Sequence, residues 1–251
     1  MESVINVYEE PELNRPILIE GLPGVGNVGK VAADYLAEKL NATHFATVLS
    51  KHFPPHVLIN ADSIGILACN ELFYAKDVGE SHLDVIFLLG DFQAATAEGQ
   101  FLICNDLMNE IFLKHDVATV FTLGGYGTGK MSDDPVVYGA ASDIATRDKL
   151  APYGVTFAPN EPAGGIVGAS AVLLGLAQMH GLESACIMGE TSGYIVDYKS
   201  GSKVLDVLER ILGTNIDRTE FNDKCQQVDL IADKVKEMEA ARDKSNLGYF
   251  G

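Results

Sequence analysis

Gly24-Val25-Gly26-Asn27-Val28-Gly29 spells GxGxxG, a spacing that can serve phosphate chemistry. Such a turn, set between a strand and a helix, lets a pyrophosphate approach backbone N–H groups at the helix N-terminus. The flanking order fits. ILIEGL (17–22) is a short apolar run, and NVGKVAADYLAEKL (27–40) has helical spacing at Val28, Val31, Ala32, Tyr35, Leu36 and Leu40. The acidic residue that would hold a ribose 2′-OH is missing, because the second strand ends Leu49-Ser50-Lys51-His52. Read on to Lys30, the run nearly spells a P-loop, but Val31 stands where a hydroxyl must hold Mg²⁺. Gly124 to Lys130 repeats the near-match and fails at the same place, with Met131. Glycine-rich strand ends serving tight turns and close helix–sheet packing account for both runs. Nucleotide or nucleoside binding through Gly24, Gly26, Gly29 and Lys30 stands as the alternative.

Three polar pairs follow predicted strands: Asp91 with Gln93, Asn160 with Glu161, and Glu190 with Thr191. In parallel α/β sheets such positions gather at the C-terminal edge, where ligands bind. Asp91, Glu161 and Glu190 could share one cleft there, or could cap helices and satisfy loop amides. His52 and His56 are four apart, but Pro54 and Pro55 exclude the helix that would align them. Cys69, Cys104, Cys186 and Cys225 are scattered and read as small buried hydrophobes. No nucleophile elbow, catalytic triad or metal-ligand cluster completes a mechanism, so no catalytic residue, cofactor or metal is expected.

The elements that must position these residues alternate along the chain. Strands are predicted at 17–22, 44–50, 84–92, 119–125, 155–159 and 184–191, with a hairpin within 57–75 around Ala61–Ser63. Helices are predicted at 27–40, 98–114, within 165–181, at 200–213 and at 219–243. On the helix over 98–114, Phe101, Leu102, Leu107, Met108, Ile111 and Phe112 are placed on the inner side. Strands joined by long crossovers imply an α/β domain, a mostly parallel sheet with helices on both faces. The 251 residues divide into that domain at 1–213 and an extension at 214–251, whose helix carries the stripe Val228, Ile231, Val235 and Met238. The last residues, KSNLGYFG, are too short and glycine-rich to fold alone.

Composition narrows the function classes. The formal charge of −17 repels nucleic acid and anionic lipid, whose binding requires clustered Lys and Arg. No run reaches the roughly 18 apolar residues of a membrane span. The N-terminal stretch lacks a signal peptide's apolar segment, so a cytoplasmic protein is expected.

Four stretches in order, EGLPGVGNVGKVAADYL, LLGDFQ, TLGGYGTG and GGIVGASAVLLGLAQMHGLESACIMGETSGYIVD, resemble the proteasome assembly chaperone family across about residues 15–213. The resemblance implies a three-layer domain related in shape to purine nucleoside phosphorylases, acting as a non-catalytic scaffold for proteasome α-subunits. Some relatives carry an ATP-grasp label, and with the phosphorylase-like shape this gives the alternative its form: an ATP-grasp-like or phosphorylase-like enzyme. Archaeal homologues that bind the proteasome end in a hydrophobic residue, tyrosine and any residue. This chain ends Tyr249-Phe250-Gly251, so Phe250 keeps the ring and loses a hydroxyl whose hydrogen bond is worth about 1 kcal/mol. By resemblance, Leu247, Tyr249, Phe250 and Gly251 form the docking element for the α-ring. Two aromatics beside a terminal carboxylate can fill an apolar slot while the carboxylate pairs with a lysine, or can be an idle terminus. Several such tails on a homo-oligomer would engage several pockets of a ring at once.

Overall fold

The computed structural model describes residues 3–162, 164–228 and 230. Its elements are β1 (Ser3–Val7), β2 (Ile17–Gly21), α1 (Val28–Lys39), β3 (Thr43–Ser50), β4 (Val57–Ile59), β5 (Gly65–Leu67), β6 (Asn70–Val78), β7 (Leu83–Gly90), α2 (Ala97–Leu107), β8 (Thr119–Gly127), β9 (Val137–Ala141), α3 (Ile144–Leu150), α4 (Ala169–Met179), β10 (Glu183–Thr191) and α5 (Tyr198–Leu212). A further helical stretch spans 219–228. Among the described residues no helix is long and apolar enough to cross a membrane.

Unbroken apolar runs become strands covered on both faces. Side chains alternate across the sheet, so Leu18, Ile86 and Val120 enter one core while Ile19, Phe87 and Phe121 enter the other. The first core is closed by α2 and α4 through Ile103, Leu107 and Leu173, the second by α1 and α5 through Leu36, Leu205 and Leu208. The result is the three-layer arrangement, built on an eight-stranded sheet in the order β1-β3-β6-β7-β2-β8-β10-β9.

That sheet is mixed rather than mostly parallel. β7, β2, β8 and β10 run parallel at its centre, whereas β1, β3, β6 and β9 join antiparallel. Connection length is one cause: the short turn at 79–82 permits only a hairpin between β6 and β7, since a parallel crossover needs about a dozen residues. The segment 155–159 is not a strand and makes one isolated bridge, Thr156 to Tyr138. Its apolar Val155 and Phe157 lie instead over Gly139 of β9, where any side chain would collide with them. The helix over 98–114 is α2 continued by a π-helical turn, Met108–Phe112, and its Phe101 faces outward with 50% of its surface exposed. The hairpin around Ala61–Ser63 forms as β4–β5, its turn held by Asn60 Oδ1 accepting from the Asp62 and Ile64 amides.

Past α5, Phe221 is buried against Tyr35 and Tyr198, with ring centroids 4.9 and 5.3 Å away. Arg218 pairs with Asp206 at 2.7 Å and with Glu209, both on α5. These contacts seat the start of the 219–228 helix on α1 and α5. Val228 is half-buried, and Ile231, Val235 and Met238 lie outside the described residues.

Candidate functional site

The glycine-rich loop crosses from β2 into α1 above the C-terminal ends of β8 and β10. Gly26 has φ +61°, and a Cβ there would lie 2.7 Å from Thr191 Oγ1. A Cβ at Gly29 would lie 2.5 Å from the Leu123 carbonyl oxygen, so this glycine lets α1 rest on β8. At Gly24 a Cβ would meet nothing within 4 Å. Two of the three motif glycines are therefore accounted for by packing alone.

Lys30, the residue of the near P-loop that should reach phosphate, is already engaged. Its Nζ lies 2.9 Å from Asp34 Oδ2 and 3.1 Å from Asp91 Oδ1, and donates to the Gly90 carbonyl at 3.0 Å. Burial works against its charge, but Asp34 and Asp91 outweigh it and hold Lys30 above its ordinary value. A lysine bound by two carboxylates and a carbonyl is a brace between α1 and β7. It must break these contacts before it can neutralise a phosphate.

Hydrogen bonds tie the loop to both neighbouring helices. The Asp197 amide donates to the Gly26 carbonyl at 2.9 Å, and the Asp197 side chain caps α5 by accepting from the Ser200 amide and also accepts from Thr191 Oγ1 at 2.7 Å. Gln93 donates to the Pro23 carbonyl at 2.6 Å and accepts from the Ala169 amide at 2.9 Å, joining the loop to the start of α4. Between β2 and β8 opens a cleft of about 470 Å³, with Gly24, Val25, Tyr126, Val167 and Ser170 among its lining. α1 follows β2 on one face of the sheet and α4 lies on the other, so this is the crevice where α/β sheets hold ligands.

Beneath the cleft lies Glu20, fully buried, accepting from the Leu22 amide at 3.0 Å and the Ser170 hydroxyl at 2.9 Å. Burial pushes its carboxyl up to about 7, against the opposing effect of these hydrogen bonds. Sequence reasoning passed over it, although a lone carboxylate inside the apolar run ILIEGL is itself a signal. Cys104 and Cys186 are both buried, and burial pushes both thiols up to about 12, which leaves neither a nucleophile.

The three carboxylates do not converge. Asp91 shares a separate recess with Lys30, Asp34 and Glu71. Glu161 accepts from the Tyr126 hydroxyl, and Glu190 accepts from the Val136 amide at 3.3 Å. Asn160 lines a shallow surface beside Glu161. The His56 ring lies 5.5 Å from Phe92, and His52 packs where any side chain at Gly99 would stand. Among the described residues no group of three or more His, Cys, Asp or Glu could hold a metal ion. Leu247, Tyr249, Phe250 and Gly251 lie outside the described residues.

A family model described as the PAC2 family matches residues 18–236. An uncharacterised protein of Methanocaldococcus jannaschii is 31% identical over 227 residues, covering 90% of this chain and 85% of the relative. The fold is similar to the crystal structure of PbaB of Pyrococcus furiosus, an archaeal proteasome activator. The TM-score is 0.87 at 34% identity, covering 94% of this chain and 99% of PbaB. PbaA of the same organism, an archaeal homologue of proteasome-assembly chaperone, gives a TM-score of 0.74 at 27% identity, covering 96% and 99% of the two chains.

Proposed function

Because the chain belongs to the PAC2 family, we propose that it is a non-catalytic proteasome assembly chaperone or activator, docking on the α-subunit ring through Leu247, Tyr249, Phe250 and Gly251. The observation that carries this reading is the likeness to PbaB over nearly the whole of both chains. The cleft chemistry agrees with it: the Lys30 ammonium is braced, two motif glycines are packed, and the cleft carboxylates are dispersed. In this reading residues 1–213 are the scaffold and 214–251 the docking extension. Arg218 and Phe221 fix the point where the extension leaves the body.

The tail rings would enter an apolar slot while the terminal carboxylate meets a lysine, and the charge of −17 would draw the protein to basic pockets. A cytoplasmic homo-oligomer would present several tails, so weak single contacts sum to useful avidity. The test is a pulldown of purified host α-subunit rings with the full chain and with a chain ending at Gly248. Capture by the full chain and its loss on truncation are expected. Equal capture by both would move the interface to the body, and capture by neither would remove the reading.

A further inference from the structure

The β4–β5 hairpin stands apart from both cores. Val57, Leu58, Ile59, Ile64, Ile66 and Leu67 are all exposed, Ile59 with 66% and Ile66 with 45% of their surface open. The register Val57↔Leu67 and Leu58↔Ile66 puts these aliphatics on both faces. Val57 and Ile59 lean over Gly65 on one face, leaving Leu58 and Ile66 on the other. A hairpin lying on its own core alternates apolar and polar residues, whereas an unbroken apolar run is the pattern of a strand covered on both sides. Here neither side is covered. A two-stranded hairpin is also marginal in water by itself. Only its base is anchored, where Phe53 and Ala68 are buried.

We propose that this hairpin is a self-association arm, its two apolar faces and free strand edges covered by the same hairpin of a second copy of this chain. Charge selects that occupant. Each copy carries −17, so like copies must meet where charge is lowest, and residues 53–69 contain one charged side chain, Asp62. A basic partner would be drawn to the acidic body instead. Strand edges from two copies pair antiparallel across a two-fold axis, each supplying the N–H and C=O groups the other lacks.

The arm rests on the homo-oligomer reading and is independent of what the tails bind. Its test is sedimentation velocity of the full chain up to about 100 μM, comparing wild type with Ile59→Glu/Ile66→Glu, which charges both faces at exposed positions. Met179→Glu, on α4 with 81% exposure, controls for added charge. Wild type and Met179→Glu should assemble alike, and the double variant should self-associate roughly 100-fold more weakly with an unchanged far-UV circular dichroism spectrum. A monomeric wild type would overturn the homo-oligomer reading together with the arm. An oligomer that survives the double variant, or that Met179→Glu weakens equally, would overturn the arm alone.

Discussion

Glu20 is a fully buried carboxyl, held by one amide and one hydroxyl. In the unfolded chain it releases its proton near the ordinary 4.5, and in the folded protein near 7. Between those values the folded state binds more protons, so stability is highest below the lower value and falls as pH rises. The loss levels off above 7. At about 1.4 kcal/mol per pH unit the window is worth roughly 3 kcal/mol. Glu20→Gln keeps the shape and cannot ionise, so it should flatten the dependence between pH 5 and 8 in urea denaturation. Parallel curves for variant and wild type would show that Glu20 does not titrate in that range. The engagement of Lys30 belongs to the same scale. The spacing of Gly24, Gly26 and Gly29 is visible in the sequence. That Asp34, one turn along α1, and Asp91, beyond β7, both reach Lys30 is a product of the fold.

Among the elements, the helix starting at 219 is mounted rather than merely attached. Phe221 fills a gap between Tyr35 of α1 and Tyr198 of α5. Phe221→Ala should cost about 3–5 kcal/mol in chemical denaturation. Amides at 219–228 should then lose more protection than those of β7 and β8. Unchanged exchange there would mean that Arg218 alone seats the helix. The central strands were legible because DVIFLLG and TVFTLGG are apolar runs that only a sheet covered on both faces can bury. Three elements gave no such signal. β1 is a short edge strand with Val4 exposed, β9 reads Val-Tyr-Gly-Ala-Ala without a period, and α3 is a short helix capped by Asp143. Conversely, Val155 and Phe157 carry a strand's alternation but cover Gly139 from above. The proposed docking residues rest on family resemblance alone, because two aromatics at a terminus specify no partner by themselves.

At the scale of the whole molecule, −17 acts against every contact between copies. Raising salt from about 0.05 to 0.5 M shortens the screening length severalfold, so self-association through an uncharged arm should tighten, as read by sedimentation. Weakening would indicate an interface built on ion pairs. The sheet order also bears on how the chain comes into being. β2 lies between β7 and β8, with Ile17 opposite Val85 on one side and Thr119 on the other. Ribosomes add roughly 5–20 residues per second, so this apolar strand emerges seconds before either neighbour has been synthesised. For that interval the nascent chain carries the middle of its sheet with nothing on either side. The timing of translation, as well as the final packing, then governs when the fold can close.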